Sequence, residues 1–140
     1  MAALGAVALL GGCGGNSGPE DLSGRWEGNL SLRFANGGAL GGDLTLRLDQ
    51  PHSFVAGEAE WTPIGEVQSI AGPVNGVKVS LRMIFRCRRT FETTELTGTV
   101  SGNELTFTNA AGRACTLGGA PALVETGEAS LTRKLDELPL

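Results

Sequence analysis

This chain has few of the residues from which metal and catalytic sites are most often built. Its 140 residues include three cysteines, one histidine and no tyrosine, and only 5% of them are aromatic. Lysine and arginine total 11 against 15 acidic residues, so a net charge of −4 does not favour nucleic acid. One histidine and widely spaced cysteines do not make a zinc-type ligand cluster. The composition therefore predicts no metal, no cofactor and no nucleic-acid partner.

The few residues that could support catalysis have simpler interpretations. His52 would be the base of a nucleophilic site, but it lies in a predicted turn, where a solvated histidine is the simpler interpretation. Glu58 and Glu60 share the outward face of one predicted strand. Paired carboxylates can act as acid and base, although such a pair on a sheet exterior is usually a solvated face. We therefore predict no catalytic residue and no enzymatic activity, with a hydrolase as the less favoured alternative.

Alternation of apolar and polar residues is the dominant pattern, and no segment has an equally clear helical apolar face. It predicts an all-β fold of about eight strands, near residues 23–34, 42–49, 53–61, 66–74, 77–87, 91–100, 104–110 and 126–134. The turns between successive strands are short, which indicates an antiparallel up-and-down meander. Closure into a barrel would bury the apolar face and remove the exposed edges. A two-sheet sandwich is the alternative.

An internal repeat supports the hairpin interpretation. The pattern G-x-V-x-G-x-x-[VL]-[ST]-[LF] begins at Gly72 and again at Gly98, and each copy predicts strand, tight turn and strand. Gly76 and Gly102 supply the positive φ that such turns need. Pro73 has no backbone donor, so we expect it at a bulge or where its missing donor faces no neighbour.

The first eighteen residues resemble the export signal and lipobox of bacterial lipoproteins, because a short apolar stretch leads into Leu10-Gly11-Gly12-Cys13. The resemblance implies a removed signal segment, residues 1–12, and a lipid on Cys13. A flexible tether, residues 13–21, would precede a barrel domain, residues 22–134, and a C-terminal tail, residues 135–140. The protein would then be anchored at the outer membrane or cell surface. An Ala/Gly leader with a chance cysteine is the alternative.

Lipid on Cys13 would leave Cys87 and Cys115 as an even pair in an oxidising compartment, which indicates a disulfide. A free thiol pair is the alternative. In the predicted meander the two cysteines reach the same barrel end with one strand between them. At least one of them must therefore lie in a loop that crosses that strand.

Gly24-x-Trp26, at the start of the first predicted strand, resembles the calycin group of lipocalins, fatty-acid-binding proteins and avidins. In that group the tryptophan closes one end of an up-and-down barrel, and a basic residue from the last strand packs across it. The resemblance implies that Arg133 stacks on Trp26, as opposed to plain core packing of Trp26. Small bacterial lipoproteins with such a start are similar in overall pattern.

Large inward residues on most strands favour a filled barrel, whereas the small inward residues Gly28, Gly57, Ala59 and Gly98 would leave volume for a ligand. The aromatic and adaptable inward side chains that would line an apolar ligand are Trp61, Met83, Phe85 and Phe107. A partner protein would instead contact loops at one barrel end. We expect a lipid-anchored, non-enzymatic cell-envelope module that binds a small apolar ligand or a partner protein. An inhibitor of an envelope protease or hydrolase is the alternative.

A basic stripe follows the fifth predicted strand. Its members are Lys78, Arg82, Arg86, Arg88 and Arg89. It could contact an anionic partner. A solvated outer face paired with Glu92, Glu95 and Glu104 is the simpler interpretation.

Overall fold

The computed structural model describes residues 20–134. The predicted signal segment, Cys13, the tether up to residue 19 and the tail 135–140 lie outside the described residues. Eight strands follow one another in the described range: β1 (Gly24–Phe34), β2 (Ala39–Asp49), β3 (Phe54–Trp61), β4 (Gly65–Asn75), β5 (Lys78–Arg86), β6 (Phe91–Ser101), β7 (Glu104–Cys115) and β8 (Pro121–Lys134).

The eight strands form one closed antiparallel barrel. Each strand pairs with its neighbours in sequence, and β8 pairs with β1 to complete the ring. In that closing ladder Arg133 lies opposite Trp26 and Ala129 lies opposite Leu30. The predicted up-and-down barrel is therefore confirmed, and the sandwich alternative is wrong. Closure pairs the backbone groups that a sandwich would leave unpaired at its edges.

The side chains that point inward from the strands fill the barrel. The largest fully buried ones are Trp26, Trp61, Phe34, Phe85 and Phe107, and buried leucines surround them. The same parity carries valine and alanine in β3 and β8, as the alternation predicts. Burial of this apolar surface, at about 25 cal/mol per Å², is the main favourable contribution to folding.

The last two strands are longer than their sequence pattern predicts. β7 continues to Cys115 and β8 already begins at Pro121, where these two residues pair. The added part of β7, residues 111–115, holds alanine, glycine, arginine and cysteine, which carry little periodic apolar signal. A register shift between Val124 and Thr126 also breaks the alternation in β8. Pairing with neighbouring strands, which the local pattern does not report, extends both strands.

The inward glycines do not leave empty volume. A Cβ atom on Gly28 would overlap the carbonyl oxygen of Ser130, and one on Gly98 would overlap that of Thr106. Gly57 meets the backbone of its neighbouring strand in the same way. The expectation that these small residues open a cavity is therefore wrong, because adjacent backbones approach and occupy the space.

Pro73 lies where the β4–β5 ladder is interrupted. Ala71 pairs with Arg82, and pairing resumes at Val74 with Val79 in an unchanged register. Pro73, which has no backbone N–H, thus lies where the ladder has no pairing and not at a bulge. Of the two placements expected from the sequence, this is the one in which the absent donor leaves no ladder bond unmade.

Candidate functional site

One end of the barrel, hereafter the plugged end, is crossed by the segment 20–23. Leu22 is fully buried there and belongs to the hydrophobic core. The amide of Glu20 donates to the carbonyl oxygen of Gly76 at 3.0 Å, which fixes the start of the segment at the β4–β5 turn. Glu20 and Asp21, predicted as the end of the tether, are thus part of the barrel end.

Gln50, in the β2–β3 turn, holds the crossing segment in place. Its Oε1 accepts from the amide of Leu22 at 2.8 Å, and its Nε2 donates to the carbonyl oxygens of Glu20 and His52 at 2.7 and 2.9 Å. The amide of Gln50 also donates to Ser23 Oγ at 3.0 Å. Gln50 does not stand out in the sequence, because a polar residue in a turn gives no sign of a partner 28 positions away.

Trp26 and Arg133 meet at the plugged end as the calycin resemblance implies. The guanidinium carbon of Arg133 lies 4.5 Å from the centroid of the Trp26 ring, within the range of a cation–π contact. Trp26 is fully buried, and its Nε1 donates to the carbonyl oxygen of Leu22 at 2.9 Å. The tryptophan therefore joins the crossing segment to the core.

The guanidinium of Arg133 also ties three segments together. Its Nη1 donates to the carbonyl oxygens of Asp21 and Ser23 at 2.9 and 2.8 Å. Its Nε donates to Asn103 Oδ1 at 3.1 Å, and Nη2 donates to the carbonyl oxygen of Gly102 at 3.3 Å. A planar, five-donor group suits this arrangement, which a lysine ammonium could not reproduce.

The carboxylate of Asp21 is stabilised in its charged form. The Ser23 amide donates to Asp21 Oδ1 at 2.9 Å, and a hydrogen bond from the Ser23 side chain adds to it. These bonds, with a smaller contribution from the charge of Arg133, hold the pKa of Asp21 below its ordinary value. The stability of the plugged end therefore depends on pH through the ionisation of the Asp21 carboxyl group.

The opposite end of the barrel, hereafter the disulfide end, carries the predicted bridge. Cys87 and Cys115 are bonded, with their Cα atoms 5.3 Å apart. Cys115 is the last residue of β7, whereas Cys87 lies just beyond β5, in the loop that passes the start of β6. Because β6 stands between β5 and β7, at least one of the two cysteines has to lie in a loop that passes β6, and Cys87 does. The Arg88 amide donates to the carbonyl oxygen of Gly119 at 2.8 Å, and Arg88 Nη2 donates to that of Gly118 at 2.6 Å.

Exposed apolar and basic side chains surround the disulfide end. Phe91, the first residue of β6, is 62% exposed, and Leu117 and Leu123 are also exposed. The guanidinium carbon of Arg86 lies 6.0 Å from the centroid of the Phe91 ring. The arginines stand out in the sequence as a basic cluster. These apolar residues do not, because an exposed phenylalanine at a strand end matches the pattern of a buried one.

The four residues proposed to line a ligand, Trp61, Met83, Phe85 and Phe107, are all fully buried. Trp61 and Phe85 pack edge to face, with ring centroids 6.2 Å apart. Trp61 Nε1 donates to the carbonyl oxygen of Leu30 at 3.1 Å, so its polar atom is also satisfied within the core. All four side chains are therefore enclosed by other protein atoms, and the indole nitrogen of Trp61 has a hydrogen-bond partner within the core.

Several hollows lie against outward-facing residues of the barrel. One, of about 370 Å³, is bordered by Pro73, Lys78, Thr97 and Thr99. A second, of about 460 Å³, lies over the β1–β2 and β8 surface near Arg33. Both are open surface depressions between outward side chains, not chambers within the barrel.

The residues considered for catalysis lie apart on the surface. His52 is exposed in the β2–β3 turn, and Glu58 and Glu60 are exposed on β3. Among residues 20–134, no group of three or more histidine, cysteine or acidic side chains could hold a metal ion. Within the described part of the chain, none of these three side chains makes a hydrogen bond or ion pair that would orient it for proton transfer.

The basic stripe is only partly balanced by acidic neighbours. Arg82 lies opposite Glu95 in the β5–β6 ladder. Glu92, however, forms its ion pair with Arg113 of β7 at 3.5 Å, and Glu104 lies at the other end of the barrel. The arginines of the disulfide end therefore lack the acidic partners that the solvated-face interpretation assigns to them.

The described residues define the class of this protein as a closed, eight-stranded antiparallel β-barrel, compatible with a calycin-like fold. Its plugged end carries the tryptophan and arginine expected of that group. No protein-family model, curated protein or solved structure matches the chain. Residues 20–134 include no helix that is long and apolar enough to cross a membrane.

Proposed function

We propose that this protein is a lipid-anchored, non-enzymatic module of the cell envelope that binds a partner protein through its disulfide end. The observation that carries the proposal is the filled interior. The residues that a small apolar ligand would contact are fully buried against one another, whereas large apolar side chains are exposed at the disulfide end.

Closure of both barrel ends supports a protein partner over an internal ligand. Leu22 and Trp26 fill the plugged end, and the buried Cys87–Cys115 bridge lies across the other. A ligand site needs a concave space that encloses most of the ligand's surface. Entry of a fatty acid would require the displacement of core side chains at a cost of several kcal/mol.

The composition and rigidity of the disulfide end suit a protein interface. Arginine and aromatic residues are enriched at interfaces, and Phe91 and Arg86 present both in one stacked pair. The disulfide and the hydrogen bonds of Arg88 to Gly118 and Gly119 join the two loops, so little ordering entropy is lost on binding.

The anchor and the disulfide end are proposed to lie on opposite sides of the protein. The described chain begins at Glu20 and ends at Lys134, and both residues are at the plugged end. A lipid on Cys13 would therefore hold that end at the membrane and turn the disulfide end outward. An oxidising envelope compartment is consistent with the disulfide.

Site-specific photocrosslinking in the native envelope tests the proposed interface. A crosslinking residue replaces Phe91 or, as the matched control, Phe54. Both are first residues of strands, exposed by 62% and 54%, at opposite barrel ends. We expect discrete protein adducts from position 91 and none of the same mass from position 54. Identical adducts from both positions, or none from position 91, would contradict the proposal.

Two further measurements separate the alternatives. Apolar ligands such as fatty acids are expected to leave the unfolding midpoint unchanged, and a reproducible increase would favour the internal-ligand alternative. The identity of the crosslinked protein decides whether the module is an inhibitor. A hydrolase whose activity falls on binding would establish that version, and the mass of Cys13 in membrane-extracted protein tests the anchor.

A further inference from the structure

A small apolar patch faces outward on β3 and β4, close to the plugged end. Phe54 pairs with Pro73 and Ala56 pairs with Ala71, so these four residues are neighbours on one face. Phe54 is more than half exposed, and Ala56 and Pro73 are exposed as well. Val77, in the turn that follows β4, adds another exposed apolar side chain. We call these five residues the β3–β4 patch.

The chain enters the described structure beside this patch. The hydrogen bond from the Glu20 amide to the carbonyl oxygen of Gly76 places Glu20 at the β4–β5 turn, next to Val77. Cys13 precedes Glu20 by seven residues. Seven residues span at most about 25 Å even when fully extended. An acyl chain on Cys13 would therefore keep Glu20, which lies beside the β3–β4 patch, within that distance of the lipid surface.

The surroundings of the patch are mixed in charge. Lys78 and Arg82 lie on the β5 side, where Arg82 pairs with Ala71. Asp49, which pairs with Ala56, and Glu20 lie on the other sides. Neither sign predominates, so contact of apolar side chains, and not attraction to anionic headgroups, would determine how this surface meets a membrane.

We infer that the β3–β4 patch rests on the lipid bilayer at the anchored end of the protein. The inference depends on the anchor at Cys13 proposed above. Phe54 and Val77 enter the interfacial region, the barrel stands on its plugged end, and the disulfide end faces away. A second copy of the chain is a poorer occupant. One phenylalanine with small neighbours offers far less than the roughly 800 Å² per partner of a stable dimer.

Fluorescence quenching on vesicles tests this orientation. Cys13 is the one cysteine outside the disulfide, so the full chain can be coupled through it to a maleimide-bearing lipid. The vesicles are phosphatidylcholine with bromine-labelled acyl chains, which quench nearby tryptophan. The Phe54→Trp and Phe91→Trp variants report on the two barrel ends. The native Trp26 and Trp61 are buried and give a background common to both.

We expect a loss of emission for Phe54→Trp on brominated vesicles relative to unlabelled ones, beyond that of the unsubstituted chain. Phe91→Trp is expected to show no additional loss. Equal quenching of both variants, or none for Phe54→Trp, would overturn the inference. Sedimentation of the uncoupled chain as a dimer that Phe54→Ser converts to a monomer would overturn it too, because the patch would then be an interface between copies.

The chemical coupling separates this inference from the proposed function. Because the maleimide supplies the anchor, the quenching result does not depend on whether a cell acylates Cys13. Unmodified Cys13 in membrane-extracted protein would refute the natural anchor. Absence of quenching in the coupled Phe54→Trp protein would refute the bilayer contact alone, and crosslinking from the disulfide end would be unaffected.

Discussion

Replacement of Arg133 is the most direct test of how the plugged end is held. Arg133→Met removes the cation–π contact with Trp26 and the bonds that Nη1 donates to two carbonyl oxygens of the crossing segment. It also removes the bonds to Asn103 and Gly102 in the β6–β7 turn. Methionine preserves most of the apolar stem, so the measured loss reports chiefly on the guanidinium.

The magnitude follows from those contacts. A hydrogen bond from a charged donor contributes about 1.5–3 kcal/mol, and a cation–π contact about 0.5–2 kcal/mol. These contributions do not add, since Arg133 is only partly buried and water replaces some of its partners. We therefore expect Arg133→Met to lower the free energy of unfolding by about 2–4 kcal/mol. The unfolding midpoint of a domain this size would fall by roughly 10 °C.

Urea and thermal unfolding measure this loss, with Arg113→Met as the control. Arg113 is a more exposed arginine whose side chain makes an ion pair with Glu92, so its replacement should cost less than about 1 kcal/mol. Arg133→Lys should recover part of the loss, because it retains the charge over Trp26 but not the fork of donors. A loss for Arg133→Met no larger than that for Arg113→Met would refute the reasoning.

Three further changes test other parts of the fold. Replacing Cys87 and Cys115 together by serine should cost about 3–4 kcal/mol in urea unfolding, and a loss near zero would show that the bridge constrains little. Gly98→Ala should lower the free energy of unfolding by more than about 2 kcal/mol, because the new Cβ would overlap the backbone of the neighbouring strand. In the control Gly118→Ala the new Cβ would have no neighbour within contact distance, so the urea midpoint should change little. The folded-state pKa of Asp21 is lowered from 3.8, so its carboxylate contributes stability that is present above that value and lost as the pH falls through the folded-state pKa. The difference in unfolding free energy between the native chain and Asp21→Asn should therefore shrink on acidification, and a difference independent of pH would contradict this.

Local pattern was sufficient to predict the eight strands, and it favoured their closure into a barrel. Side chains alternate with period two over most of the strands, and turn glycines such as Gly76 and Gly102 mark where the chain reverses. An antiparallel meander with one apolar face can bury that face by closing, so the pattern and the short turns favoured a barrel, and only the structure excluded the two-sheet sandwich. The contact of Arg133 with Trp26 came from the calycin resemblance together with the parity of Arg133, and the pairing of Cys87 with Cys115 from the even pair that a lipid on Cys13 would leave.

Tertiary structure alone decided how the space inside the barrel is used. The alternation shows that Gly28 and Gly98 face inward, but it does not show that the backbone of an adjacent strand occupies the volume beside them. Nor does it show that Leu22 closes one end or that Gln50 holds it there. These features depend on distances across the ring between residues far apart in the chain, whereas periodicity reports only the direction in which each side chain points.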